Sequence, residues 1–298
     1  MDALASLKPE LERIGADVDR LFGSILAVPA DPRAKLYEAM RYAAIGGGKR
    51  LRPLLVVAGC GLFHVDRERA LRVGLAVECI HVYSLIHDDL PCMDDDDLRR
   101  GKATVHRAYD ECTAILAGDS LHALAFEILA DEATHEDPFV RNELVMELAR
   151  ASGLAGMAGG QMMDLVAEEM TLDLASVTRL QQLKTGALIG FCLEAAGIMG
   201  RVPPEGRTSL RGYARDVGLA FQIADDLLDA EGEEEKTGKR VGKDGAAGKE
   251  TFVSLLGADR ARQQAALLVD QAVEHLQTYG AEADLLRAIA RFAVERDH

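Results

Sequence analysis

The chain has few of the residues from which disulfide scaffolds, nucleic-acid surfaces and sheets are built. Its five cysteines, Cys60, Cys79, Cys92, Cys112 and Cys192, are odd in number and scattered, with no CxxC. That excludes a disulfide framework and a cysteine zinc site, and fits the reduced thiols of a cytoplasmic protein. Positive charge is scarce: 34 basic against 49 acidic side chains give a net charge of −15. With a pI near 5.0 the expectation is no nucleic-acid partner, since that footprint is a basic patch or stripe. No run approaches the roughly 20 apolar residues of a membrane span, so none is expected. The start, MDALASLKPELERIGADVDRLF, is acidic and amphipathic and lacks the pattern of a secretory or transit leader. Strand-like alternation bounded by Asn-Gly or Asp-Gly turns is missing, and so is any fixed-period repeat.

Proline is sparse as well, and its placement is informative. The eight prolines (9, 29, 32, 53, 91, 138, 203 and 204) leave long tracts free, the last running from Glu205 to the end. Proline costs about 3 kcal/mol inside a helix, so such tracts are what a helical chain needs. Apolar residues recur there at three and four: Leu71, Leu75, Cys79, Val82 and Ile86 form one stripe, and Leu116, Leu121, Leu124, Ile128 and Leu129 another. The expectation is an all-α chain of ten or more helices, one domain over residues 1–298. Ala187–Met199 and Gly212–Leu228 are apolar nearly all round and belong at the centre. Glu231 to Glu250 is polar and glycine-bearing, either a lid or a solvated surface loop.

Two aspartate clusters stand out. HDDLPCMDDDDLRRGK, His87 to Lys102, follows an apolar helix that Pro91 should stop near Leu90. Asp88 and Asp94, six apart, would lie about 120° out of line on a continuous helix. The break at Pro91 lets the chain turn so that Asp94 comes back beside Asp88. In FQIADDLLD, Phe221 to Asp229, Asp225 and Asp229 are four apart on one face of an uninterrupted helix. Like charges at that spacing repel, and hard divalent cations offset such repulsion with oxygen ligands; magnesium uses one or two carboxylates and completes its shell with water and phosphate. A solvated helix end explains one such pair, but two clusters at the ends of apolar helices favour metal. There is no EF-hand loop.

Basic residues sit where anions would be needed. GGGKRLRP, Gly46 to Pro53, sets Lys49, Arg50 and Arg52 behind a glycine run, without the spacing of a Walker A loop. It reads as a phosphate clasp or as a basic surface loop. Arg99 and Arg100 directly follow the first aspartate cluster, and Lys184, Lys239 and Lys243 flank the second in sequence. Arginines set beside aspartates suit metal-bound phosphate esters.

GGGKRLRP, ECIHVYSLIHDDLPCMDDDDLRRGKATVH, ILAGDSL, GGQMMDL, KTGALI, FQIADDLLD and GKETFVSLLG, in this order and spacing, resemble the trans-prenyl diphosphate synthases, and among them the bacterial farnesyl diphosphate synthases. The resemblance runs from about Tyr37 to the end. It implies a helical bundle around a deep central cavity, with the two acidic motifs facing across its mouth, and a homodimer. By matching residue it assigns isopentenyl diphosphate to Lys49, Arg52, His81 and Arg100. The allylic diphosphate falls to Arg99, Lys184 and Lys239. Metal ligands are Asp88, Asp94 and Asp225, for three magnesium ions carried in part by the substrate diphosphate, with Asp89 and Asp229 as outer partners holding waters. Thr185 and Gln222 point oxygens at the developing allylic cation. Tyr83, with Ser84, five and four residues before Asp88, forms the floor that limits the product to fifteen carbons. Ala103 departs from the family pattern, where many relatives carry proline.

Other residues receive plainer readings. His87 is structural; Asp119 and Asp164 either order the site or cap helix starts; Met157, Met162 and Met163 are core or cavity wall; Cys92 is no nucleophile. Competing functions are a geranylgeranyl diphosphate synthase, a terpene cyclase and a non-catalytic subunit of a heteromeric synthase. A cyclase has no need of Lys49, Arg52 and Arg100 for a second diphosphate, and a non-catalytic subunit should have lost aspartates that are intact here.

Overall fold

The structure, a computed structural model, describes residues 3–167, 172–231 and 250–295, with side chains from Leu7 onward. It is helical almost throughout, as expected. The helices are α1 (Ala3–Ile25), α2 (Ala34–Ala44), α3 (Leu51–Gly61), α4 (Arg67–Asp88), α5 (Val105–Ala108), α6 (Glu111–Ala130), α7 (Pro138–Ser152), α8 (Met157–Ala167), α9 (Leu174–Gln181), α10 (Ala187–Met199) and α11 (Thr208–Glu231). The helices Phe252–Leu256, Ala258–Glu274 and Asp284–Glu295 follow. Two compact units are formed: Pro9–Val57 with Asp66–Val145, and Met1–Lys8, Ala58–Val65 and Met146–His298.

In the first unit α4 is the central element. Asp66 caps its start, accepting from the Arg69 amide at 3.0 Å. The stripe Leu71, Leu75, Cys79, Val82 and Ile86 is buried along its whole length. Gly74 has no side chain because the Pro53 Cα would stand 3.0 Å from its Cβ. The helix ends at Asp88, close to where Pro91 requires it. On α6 the expected stripe needs correction. Leu121, Ile128 and Leu129 are buried and Leu124 partly so, but Leu116 is 55% exposed. Leu116 lies five residues before Leu121, about 140° round the helix, and the buried face runs through Ala114, Ala117 and Gly118 instead. By length and composition α4 and α6 could each cross a membrane, contrary to the apolar-run reading; they pack against each other, and α4 is largely buried.

One element was not expected. Leu98–Arg99 pairs antiparallel with Lys102–Ala103, Leu98 opposite Ala103 and Arg99 opposite Lys102. The two turn residues, Arg100 and Gly101, have φ of 54° and 75°, the sign pattern of a type I′ turn.

In the second unit α10 is buried nearly all round, as its composition suggested. α11 is more one-sided, burying Tyr213, Val217, Ala220 and Ile223 while Arg215 stays exposed. The Tyr213 hydroxyl donates to the Leu286 carbonyl at 2.7 Å, tying α11 to the last helix. Between α9 and α10 the chain makes a π-helical turn, Gln182–Gly186. The Cβ that Gly160 lacks would collide with the Lys184 backbone, so the glycine lets this turn seat on α8. Met157 is core, whereas Met162 is 59% exposed and no cavity wall within this unit.

Candidate active site

The first acidic motif closes on itself as its spacing requires. Past Pro91 the Asp94 amide donates to the Asp88 carbonyl at 2.8 Å, and Asp95 takes a left-handed backbone (φ 50°) to make the turn. Asp88 and Asp94 are thereby brought together. Asp89 differs from the expectation of an outer partner holding waters. It is buried and accepts two bonds from Arg99, from Nε at 2.9 Å and from Nη2. The reason is helical phase: one residue past Asp88 is about 100° round the axis, which turns Asp89 towards the hairpin. Burial raises the Asp89 pKa, and the Arg99 bond and charge offset only part of that. Burial disfavours the Arg99 charge, but the bond to Asp89 and the charges of Asp89, Asp96 and Asp88 outweigh it and raise the Arg99 pKa.

The residues expected to hold isopentenyl diphosphate lie in the same unit. His81 and Asp88 are two turns apart on α4. The His81 pKa is held well below its usual value by burial, then by the charges of Arg52, Arg100, Arg50 and Arg99. The ring is neutral at neutral pH, and the charges of four guanidinium groups contribute to that. Burial, with Arg50, Arg99 and Arg52 nearby, lowers the Arg100 pKa although Glu78 works the other way. The Nε of Arg52 is buried and has no hydrogen-bond partner among the described residues. A buried donor without a partner costs about 1–3 kcal/mol, which an anion would relieve. Lys49 is exposed at the start of this segment.

Arg50, between them, has another task. It is buried, donating to Glu78 at 2.6 Å, to Asp19 at 2.9 Å and to the Ala44 carbonyl. The glycine run also differs from a simple phosphate loop. Arg100 lies directly on it: a Cβ on Gly48 would stand 2.5 Å from Nη2, and one on Gly47 3.0 Å from Nη1. The glycines give room to the arginine. Spacing alone did not reveal this pairing, whose only trace in the sequence is the glycine run itself.

In the second unit, Lys184 and Thr185 sit in the π-helical turn, a geometry often found at functional sites. Lys184 Nζ donates to Asp164 at 2.8 Å. Asp164 lies inside α8, so it orders Lys184 and caps no helix start. Asp119 likewise lies within α6, exposed, and the cap of that helix is Asp110, which accepts from the Thr113 amide at 2.7 Å. On α11, Gln222, Asp225 and Asp229 succeed one another at three and four residues and share a face. Asp226, between them, is buried and accepts from the Phe252 amide at 2.9 Å, a structural role. Lys239, Lys243 and the expected lid from 232 to 249 lie outside the described residues.

Tyr83 points from α4 towards α6. Its ring meets His122 edge-on at 4.9 Å and His87 at 5.7 Å, and His122 in turn meets Phe126 at 5.2 Å. Burial raises the Tyr83 pKa, with the Asp88 charge adding to it. Ser84 Oγ donates back to the His81 carbonyl at 2.9 Å. His87 contacts the Ile115 carbonyl through Nε2 at 3.1 Å and fills the space left by Gly118, so it is structural.

Among the described residues no three histidine, cysteine, aspartate or glutamate side chains form a cluster able to hold a metal ion. The expected donors, Asp88, Asp94 and Asp225, offer hard carboxylate oxygens. That fits magnesium taken up with its phosphate ligands, and does not fit a cation held by protein alone. Buried Cys60, its pKa pushed up to about 12 by desolvation, is inert, as is buried Cys79.

Residues 33–290 match the family model for polyprenyl synthetase. The chain is 41% identical over 276 residues to the farnesyl diphosphate synthase of Bacillus subtilis (strain 168), covering 92% of this chain and 93% of that one. It is 45% identical over 271 residues to that of Escherichia coli (strain K12), covering 87% and 89%. Among solved structures, the apo crystal structure of an FPP/GFPP synthase from Zymomonas mobilis superposes with a TM-score of 0.89 at 62% identity, covering 97% of this chain and 99% of that one.

Proposed function

The chain belongs to the polyprenyl synthetase family, and on that premise we propose that it is a farnesyl diphosphate synthase. It joins dimethylallyl and then geranyl diphosphate head-to-tail with isopentenyl diphosphate. Residues 1–298 serve as one polyprenyl synthase domain, in the cytoplasm, without a membrane span or nucleic acid. It acts as a homodimer, a reading supported by Ile115 and Leu116, 45% and 55% exposed side by side on α6.

The observation that carries the reading is the cationic clasp. The charges of Arg52 and Arg100 help hold the His81 ring neutral, and Arg52 keeps a buried donor without a partner among the described residues. An enzyme handling one diphosphate on metal has no use for a second, cationic anion site. Isopentenyl diphosphate is held there by Lys49, Arg52, Arg100 and the neutral His81 ring, which adds a hydrogen bond and no charge. Arg99, fixed by Asp89, and Lys184, fixed by Asp164, take the allylic diphosphate, which the family resemblance also assigns to Lys239. Asp88, Asp94 and Asp225 would hold the magnesium. Three magnesium ions, when bound, neutralise the diphosphate and make it a better leaving group.

The allylic carbon–oxygen bond breaks with its electron pair leaving on diphosphate. Thr185 and Gln222 turn their oxygens to the cation that develops. The double bond of isopentenyl diphosphate supplies the electrons for the new carbon–carbon bond, and a proton leaves to the departing diphosphate, since no residue type in the motifs is an obvious general base. Water must be kept out, because it would trap the cation.

Tyr83, braced by His122, is the floor that ends growth at fifteen carbons. A longer product is the second reading, favoured by the Zymomonas mobilis neighbour whose description names two products. Labelled isopentenyl diphosphate with dimethylallyl diphosphate, followed by chromatography of the products, tests both. Farnesyl diphosphate as the main end point supports the first, twenty carbons or more the second, and no condensation refutes either.

A further inference from the structure

The hairpin Leu98–Ala103 carries Arg100 of the clasp and Arg99 of the allylic site, yet it lies over a cavity. Tyr42, Val82, Ile86, Asp89, Arg100 and Ala103 are among the residues on the cavity wall, and Leu98 is 68% exposed on the outside. Two-stranded ribbons are marginal alone even when longer than this one. The place of the hairpin is therefore set by a few discrete contacts. Two of these use the arginine side chains themselves, Arg99 on Asp89 and Arg100 over Gly47 and Gly48. The diphosphates proposed for those two guanidinium groups compete with both contacts. The third contact holds the backbone: the Tyr42 hydroxyl donates to the Ala103 carbonyl at 2.8 Å.

The register makes that carbonyl accessible. Arg99 and Lys102 close the turn, so Leu98 and Ala103 form the pair that exchanges no backbone bonds, and the Ala103 carbonyl points away from the ladder. The Thr104 amide resumes the ladder, donating to Asp97 at 3.0 Å. The Tyr42 ring is itself held edge-on by Tyr109, with centroids 5.8 Å apart.

The geometry points to Tyr42 as a positioning residue of the substrate clasp: its hydroxyl fixes the second strand of the hairpin so that Arg100 meets isopentenyl diphosphate. This rests on the function proposed above. Tyr42→Phe removes one hydroxyl and leaves the ring packing. The expected result is a rise of about 3- to 10-fold in KM for isopentenyl diphosphate, the worth of one hydrogen bond, with kcat changed less than about twofold. In an Arg100→Ala background the same substitution should add nothing, because its effect passes through Arg100. Hydrogen exchange of the peptide carrying Leu98–Ala103 should be faster in the ligand-free Tyr42→Phe protein. An unchanged KM, an equal further rise in the Arg100→Ala background, or unchanged exchange would each overturn the inference. Absence of condensation by the unaltered protein would defeat the functional reading alone, and the exchange measurement would still decide whether Tyr42 holds the hairpin.

Discussion

Gly48→Ala separates the two things a glycine can do in this clasp. Gly48 has φ of +80°, so any side chain there strains the backbone by roughly 1–2 kcal/mol. At about 2–4 °C per kcal/mol for a protein approaching this size, the melting midpoint should fall by roughly 2–8 °C. The added Cβ would also stand 2.5–2.8 Å from Nη2, Cζ and Nη1 of Arg100. Those atoms are the far end of a flexible side chain, so the overlap is relieved by moving the guanidinium, at little cost in stability. The cost appears in binding. Losing charge-assisted hydrogen bonds worth about 1.5–3 kcal/mol should raise KM for isopentenyl diphosphate about 10- to 150-fold.

Gly46→Ala is the matched control. Gly46 has nearly the same backbone, φ +74°, but its Cβ would meet nothing within 4 Å. It should lose similar stability and leave KM close to the unaltered value. Steady-state kinetics with isopentenyl diphosphate varied at saturating geranyl diphosphate, alongside thermal melts, reads both quantities. Equal KM for Gly46→Ala and Gly48→Ala, whether both raised or both unchanged, would show that Arg100 does not work from the glycine run.

Asp88→Ala and Asp225→Ala should each lower turnover by orders of magnitude at saturating magnesium with the helical circular dichroism signal intact; near-normal rates in either would sink the metal assignment. Tyr83→Ala removes the ring that stands 4.9 Å from His122 and should shift products to twenty carbons or more, which chromatography would contradict if farnesyl diphosphate stayed the sole end point. His81 stays neutral in the folded protein but takes a proton near pH 6.5 when unfolded, so its contribution is complete above 6.5 and is lost as pH falls below that value towards its lowered pKa. Urea midpoints at pH 7.5 and 5.5 should therefore differ less in His81→Asn than in the unaltered protein, and an equal difference would mean the His81 ring is not held neutral.

Helices were legible because apolar spacing and proline placement are local signals. α4 shows how far that reaches: its stripe, its end before Pro91 and the return of Asp94 to Asp88 all follow from residue types and spacing. α6 shows the limit. Leu116 has the hydrophobicity of a core residue and a phase that fits only loosely, and the buried face is decided by alanine and glycine positions that allow α4 and His87 close approach. The hairpin is not legible in the sequence because its turn is Arg-Gly rather than the Asn-Gly or Asp-Gly of common hairpins, although Gly101 supplies one of the two positive φ angles needed.

Residue types in the candidate site were legible, but their directions were not, for a backbone reason. Arg50, Asp95 and Arg100 all have φ near +50°, where a residue other than glycine is uncommon. Each sits in an acidic or basic motif, and each turn redirects the side chains around it. Arg50 turns inward to Glu78 and Asp19 while Arg52 stays in the clasp. Arg99 goes to Asp89, and its neighbour Arg100 goes to Gly47 and Gly48. Propensity gives no warning of this, since arginine does not favour left-handed backbone. Such a conformation persists only where tertiary contacts over-determine it. For Arg50 those contacts are the three acceptors of its buried guanidinium. For Arg100 they are the Gly101 turn, the glycine run beneath its side chain and the Tyr42 bond to the returning strand. The left-handed turn at Arg100 therefore sends two adjacent arginines in different directions, an arrangement that a regular strand or helix, with its fixed side-chain phase, would not provide.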